Sequence, residues 1–416
     1  MFDTNTKNNL QVFEHQTIRV GDTVSDVLFT KRIWQALAIY SEKHKGKYYQ
    51  LVYQGIKFSH YVGILQIGQL TIEILPKIDQ LDSPDTSTWQ KVLIDMLQYC
   101  NLLKVSSLGY GNTQLKSNSL LNLYLAQFLN ATEQYIHSGI QKKYLPQESN
   151  ATYLKGQLLV AKQLRHNQFR PTHFFIRTHQ LQAAHLLNQL IYEALKALKK
   201  VPLIPILQMQ LDTLLSRFPK LAPYNWSPND FAQLLSNRNK EAHQKLIELT
   251  RLILMNCSSD IRYGPHSLMA LLFDMNVLFE EYIFQQIKRV AGKDMKVSRQ
   301  TSIPFWQRRM IRPDILIEIA GEKIVLDTKW ILLATKSPTI ADLKQMYIYC
   351  RYFKATRGIL IYPWAGSPTP AITQPFLEES NRVICQLQFL NVLEETRALK
   401  RNIGKEIIAS VKHLLK

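Results

Sequence analysis

The four cysteines, Cys100, Cys257, Cys350 and Cys385, form no CxxC pair. Their spacing offers neither a zinc site nor a disulfide framework. No run of about 18 apolar residues occurs, so no membrane-spanning helix is expected. The opening MFDTNTKNNLQVFEHQ is polar and does not read as a secretory leader. A reduced, cytosolic protein that stays off the membrane is the expectation. Three catalytic signatures are missing as well. There is no HExxH despite 11 histidines, no GxSxG, and no GxxxxGK[ST]. Zinc peptidase chemistry, a serine-nucleophile elbow and a P-loop for nucleoside triphosphates are therefore not expected. Internal repeats and low-complexity tracts are absent too.

What is present is a long, apolar and basic chain. Its 416 residues exceed one ordinary core, which predicts two or three domains. Hydrophobic residues make up 46% and are spread along the length, as a folded protein requires. Lys and Arg outnumber Asp and Glu by 51 to 32, a net charge of +19. That excess favours a polyanionic partner, nucleic acid before an acidic membrane.

The patterns divide the chain into a β-rich part (1–85), a mainly helical middle (86–260) and an α/β part (261–416). In 48–79, apolar and polar residues alternate, with turn signals at Gly55, Gly63 and Gly68. Pro76 ends the last strand, since proline cannot donate to a ladder. This predicts a small antiparallel sheet or barrel. Helical spacing follows in 87–145, 183–200, 210–218 and 225–254, the last opening at Ser227-Pro228. A basic β-like segment (153–181) interrupts them. Gly264-Pro265 reads as the break before the last part. There the spacing of Leu268, Leu272, Met275, Phe279 and Ile283 predicts a helix over 267–290. Strands are expected at 295–303, 311–319 and 323–329, then a helix at 340–353. Strands at 357–362 and 382–389 and a final helix from about 391 complete a mixed α/β layer.

RPDILIEIAGEKIVLDTKW (312–330) carries the chemistry. Two apolar strands flank a turn at Gly321, yet Asp314, Asp327 and Lys329 lie at their ends. Residues i and i+2 of a strand share a face, so Asp327 and Lys329 point the same way. Asp314 opens the preceding strand, which brings it beside Asp327. Paired carboxylates repel unless a cation lies between them, and oxygen ligands of this kind suit Mg²⁺. Such an ion activates water and offsets charge on a phosphate, and a nearby lysine holds a phosphate oxygen. Gln345 and Tyr349 lie four apart on the next predicted helix. The second Asp-x-Lys, Asp342-Leu343-Lys344, has no paired strand and is given no role. Trp306, Arg308, Arg309 and Arg312 precede Asp314 in a predicted turn and are candidates to contact double-stranded DNA. The middle segment's Lys155, Lys162, Arg165 and Arg170 could face DNA or a protein partner.

Asp314 with Asp327-x-Lys329 resembles the PD-(D/E)xK nuclease signature. Gln345-Met-Tyr-Ile-Tyr349 is similar to the QxxxY element of its RecB-like branch. Over most of its length, in patches, the chain resembles the McrC subunit of McrBC-type, modification-dependent restriction systems. LFDMNVLFEEYI (272–283), the 312–330 hairpin, and DLKQMYIYCRYF followed by GILIYP (358–363) carry the likeness. YVGILQIGQLTIEILPKI and YLKGQLLVAKQL (153–164) extend it upstream. The resemblance implies a C-terminal restriction-endonuclease-like domain. Asp314 and Asp327 would be its metal-binding acids, Lys329 its catalytic lysine, and Gln345 and Tyr349 its supporting pair. Glu280 lies where relatives place a further acid, with Glu281 equally available. The resemblance also implies a hexameric AAA+ GTPase partner, McrB, that binds the GTP and is stimulated by this subunit. It implies Mg²⁺-dependent cleavage of methylcytosine-containing DNA. A non-catalytic activator with a relict nuclease fold, or a RecB-like repair nuclease, are the alternatives.

Overall fold

The computed structural model describes residues 9–43, 45–67, 70–78, 85–102, 120–235, 243–258, 268–333, 336–364, 369–377, 383–394 and 396–415. Gly68, Gly264 and Pro265 lie outside them. The chain forms two compact units, not three consecutive ones. One joins Met1–Val105 to Leu272–Lys416, and the other is Ser106–Leu271. The β-rich start and the α/β end therefore belong to one body. Among the described residues no helix is long and apolar enough to cross a membrane.

In the first unit, the N-terminal strand Asn9–Phe13 runs parallel to Leu70–Leu75, which pairs antiparallel with Tyr61–Ile67. Leu10, Val12, Ile64, Ile72 and Ile74 are buried, as strand alternation requires. Thr17–Arg19, Gly55–Phe58 and Tyr49–Val52 make a separate antiparallel sheet. The arrangement is thus β-rich but mixed, since the first strand returns to the sheet in parallel. Gly63 lies in mid-strand and marks no turn, whereas Gly55 opens its strand directly after the Tyr53–Gln54 hairpin turn. A helix, Lys31–Lys43, stands where only strands were expected. Its Ile33, Leu37 and Tyr40 recur at steps of four and three and are buried.

The same unit holds a six-stranded sheet. Its order is Met295–Arg299, Ile315–Ile319, Glu322–Thr328, Arg357–Trp364, Ile384–Asn391, Ile372–Pro375. The first three strands are antiparallel, and the next two add in parallel. Leu316, Val325, Leu360 and Tyr362 form one apolar face, packed with Met346, Cys350 and Phe353 of the helix Ile340–Phe353. Ile315, Ile317, Ile324 and Leu326 alternate with them and are buried on the other face. The helix Met275–Val290 packs against Met295–Arg299 and Glu322–Thr328, and the helix Ile403–Leu414 packs against it in turn. Gly404 permits that approach, because a Cβ there would lie 2.1 Å from the Gln286 carbonyl oxygen.

Three expectations need correction here. The 267–290 helix is a strand, Leu268–Asp274, followed by the helix Met275–Val290. Asp274 sets the boundary: its extended backbone and carboxylate cap the Asn276 amide. The residues before Asp314 form a β-hairpin, Ile303–Trp306 and Arg309–Ile311, rather than a turn after one long strand. The last helix begins at Ile403, because Leu393 and Leu399 first pair across a loop. The strand Ile372–Pro375 is an addition that the sequence patterns did not predict.

The second unit contains the helices Leu120–His137, Leu186–Leu198, Pro205–Arg217, Pro228–Leu235 and Gln244–Asn256. It also carries a long antiparallel pair, Lys143–Ala151 with Phe174–Gln182, in unbroken register. The β-like segment 153–181 therefore includes a helix, Val160–Asn167, between its strands.

Candidate functional site

The site is built on the Ile315–Ile319/Glu322–Thr328 hairpin. Ala320 and Gly321 form its two-residue turn, both with positive φ (50° and 84°). That conformation matches the twist of the flanking strands and fixes the register. Ile319 lies opposite Glu322, and Ile315 opposite Leu326. One step further, Asp314 comes beside the Asp327–Thr328 end of the partner strand, close enough for its charge to act on Asp327. Asp314 is pinned across the hairpin: its Oδ2 accepts from the Thr328 amide (2.7 Å) and hydroxyl (2.9 Å). Asp327 is 2% exposed. Its Oδ2 is paired with the Lys329 ammonium at 2.9 Å. Burial, then the charge of Asp314, push the Asp327 carboxyl up to about 7. Burial also raises Asp314, against the pull of the Thr328 donors.

Lys329 ties this pair to the neighbouring helix. Its Nζ donates to Gln345 Oε1 (2.8 Å), and Gln345 Nε2 donates to Tyr349 OH (2.7 Å). Burial pulls the Lys329 ammonium down, but Asp327, Asp342 and Asp314 outweigh it and hold the group above its usual range. At neutral pH it is therefore a cation and not a base. Asp342, given no role from the sequence, lies 3.7 Å from Lys329 Nζ. Thr339 and Asp342 form a capping box at the helix start. That motif was readable: Thr339-x-x-Asp342 sets a carboxylate one turn ahead of Gln345.

Glu280 is buried on Met275–Val290, where it accepts from Arg299 Nε (3.1 Å) and Gln300 Nε2 (2.7 Å). Burial, and next the charge of Asp314, raise its pKa. Glu281 instead pairs with Arg299 Nη1 and accepts from Gln285. Glu280 is thus electrostatically joined to Asp314. Sequence reasoning missed Arg299 and Gln300, since neither belongs to a motif. Gln300 is tied in further by its amide, which donates to the Asp314 carbonyl (2.9 Å).

Trp306, Arg308, Arg309 and Arg312 are all exposed on or beside the 303–311 hairpin. Among the described residues the three arginines make no ion pair. The hairpin base is fixed, because Ile303 and Ile311 pack against the core cluster and Phe305 meets Tyr352 edge-on at 5.1 Å. By contrast Arg289 lies over the Tyr99 ring, and Lys296 lies 3.5 Å from Glu318. In the second unit Lys162 is paired with Glu148, which also holds Arg177.

Among the described residues no group of three or more His, Cys, Asp or Glu side chains forms a ready metal cage. Two neighbouring carboxylates, one of them buried, whose charges raise each other's cost, are an oxygen donor set that fits a hard divalent ion keeping most of its waters. Asp314 and Asp327 are the residues that would hold it.

A family model described as "McrBC 5-methylcytosine restriction system component" matches residues 56–363. The chain belongs to that family. The resemblance read from the sequence is borne out at that level. Two solved structures, both from Thermococcus gammatolerans, share the fold. The first is a half-complex from a tetradecameric assembly of McrB AAA+ hexamers with bound McrC. It matches at TM-score 0.70 and 20% identity, covering 98% of this chain and 100% of that one. The second is an McrBC complex, at TM-score 0.51 and 21% identity, covering 68% of this chain and 87% of that one. No curated protein matches the chain.

Proposed function

We propose that this member of the McrBC family is its McrC-like nuclease subunit, with a PD-(D/E)xK active site in the C-terminal part. It is an Mg²⁺-dependent endonuclease that cuts methylcytosine-containing double-stranded DNA in the cytoplasm. The observation that supports this is the hairpin end, where Asp314 lies close enough for its charge to raise Asp327 and the Lys329 cation lies 2.9 Å from Asp327. The partner we infer is an McrB-like AAA+ GTPase hexamer, in keeping with the assemblies that share this fold. That partner binds and hydrolyses GTP, since this chain lacks a P-loop.

In this function Asp314 and Asp327 would hold Mg²⁺, which would supply water activation and charge neutralisation at the scissile phosphate. Lys329, kept charged by its acidic neighbours, holds a phosphate oxygen or orients the attacking water. Gln345 fixes the ammonium, and Tyr349 fixes Gln345. Glu280, held by Arg299 and Gln300, adds negative charge at the Asp314 side. Arg308, Arg309 and Arg312 take flanking phosphates, and Trp306 stacks on a sugar or base.

The test is reconstitution with the GTPase, GTP, Mg²⁺ and methylated DNA. Cutting by the wild type and none by Lys329→Ala, with assembly intact, supports the proposal. Normal stimulation of the GTPase beside no cutting of any DNA would identify a non-catalytic activator.

A further inference from the structure

A buried carboxyl far from the hairpin in sequence bonds the residue that directly follows Lys329. Glu14 directly follows the strand Asn9–Phe13 and is 5% exposed. Its amide donates to the Leu75 carbonyl (2.9 Å), which anchors it to the N-terminal sheet. One oxygen, Oε1, accepts both the Trp330 indole N–H (2.7 Å) and the Lys77 amide (3.0 Å). The other, Oε2, accepts no hydrogen bond, and His15 Nε2 lies 3.8 Å from it.

Trp330 links this carboxyl to residues that adjoin the acid site in the chain. It follows Lys329 in the chain and is 6% exposed. Its ring lies 5.0 Å from that of Phe279, the residue before Glu280. One indole therefore touches the end of the Lys329 strand and the turn of helix that presents Glu280. A buried indole N–H needs one acceptor, and without it the ring bears the cost of an unmet donor. Burial of a carboxyl is also costly, so a carboxyl kept here must be used.

We propose that Glu14 is a positioning residue: by holding the Trp330 indole it sets where Lys329 and Glu280 stand at the acid site. The significance of that site rests on the nuclease function proposed above. Both bonds go to one oxygen, so Glu14→Gln keeps the needed acceptor and Glu14→Leu removes it. Trp330→Phe removes the donor and keeps most of the ring.

The experiment uses the full chain with its GTPase partner and compares Glu14→Gln, Glu14→Leu, Trp330→Phe and the Leu/Phe double variant. Two readouts are taken: the single-turnover cutting rate at saturating Mg²⁺, and the NMR resonance of the Lys329 side chain without DNA. We expect Glu14→Gln to stay within about twofold of wild type in rate. Glu14→Leu and Trp330→Phe should each be ~10-fold slower, and the double variant no slower than either, as for partners in one interaction. The Lys329 resonance should move in Glu14→Leu and in Trp330→Phe and keep its wild-type position in Glu14→Gln. Should Glu14→Leu fail to fold, Trp330→Phe against Glu14→Gln decides. An unmoved Lys329 resonance in Trp330→Phe, or losses that simply add, overturns the proposal. A wild type that never cuts overturns the nuclease function alone, because the resonance still reports on positioning.

Discussion

Asp327 is a carboxyl removed from water, beside a second acid and paired with the Lys329 ammonium. Its titration near 7, against 3.8 for a free aspartate, makes the folded chain bind an extra proton between those values. Without metal, that raised value lowers stability as pH rises from about 4 to about 7. Asp327→Asn should remove the penalty and, under the proposed function, abolish cutting. The metal-free variant should be more stable than wild type at pH 8, by on the order of 1–3 kcal/mol, with the gap closing below pH 4. Calorimetry at both pH values checks this, and an asparagine variant that melts lower at pH 8 speaks against it. Tyr349→Phe deletes one hydrogen bond to Gln345, worth ~1 kcal/mol, so cutting should slow about fivefold. An unchanged single-turnover rate would remove Tyr349 from the site. At this scale Asp314, Asp327, Lys329, Gln345 and Tyr349 were legible, because strand and helix periods bring them together locally. Glu14, Arg299 and Gln300 were not, since their partners are met through tertiary packing alone.

The 303–311 hairpin projects charge from a fixed base, and its arginines are exposed and without ion pairs among the described residues. If they take phosphates, replacing Arg308, Arg309 and Arg312 by Ala should weaken binding to all DNA sequences alike. The salt slope of log K should fall by up to ~0.9 for each phosphate that is no longer neutralised. Titrations at several salt concentrations read this directly, and an unchanged slope places the DNA elsewhere. Gly404→Ala acts where two helices meet. Its Cβ would clash with the Gln286 carbonyl and force the Ile403–Leu414 helix off Met275–Val290. A drop of ~1–3 kcal/mol in denaturant unfolding is expected, and a stability equal to wild type contradicts that packing. Elements with clean periods, such as Ile340–Phe353 and the 315–328 hairpin, were readable. Leu268–Asp274 was not: Leu268, Leu272 and Met275 fall at helical steps, and only the Asp274 cap separates strand from helix.

Across the whole molecule, the sequence indicated a mixed α/β protein but not how its parts combine. The Met1–Val105 and Leu272–Lys416 segments share one unit because Asn9–Phe13 and its neighbours are packed within it, and Glu14 bonds Trp330. Pairings over such separations leave no periodic trace in the chain. The net charge of +19 suits a polyanion, yet charge alone names neither the substrate nor the chemistry. Both come down to whether the Asp314/Asp327 pair is a working metal site. The most direct measurement is Mg²⁺-dependent cleavage of methylated DNA by the chain reconstituted with its GTPase, wild type beside Asp327→Asn. The account predicts cutting that needs Mg²⁺ and is abolished in the variant, while assembly and GTPase stimulation persist. Cutting that survives in Asp327→Asn at the wild-type rate would contradict it.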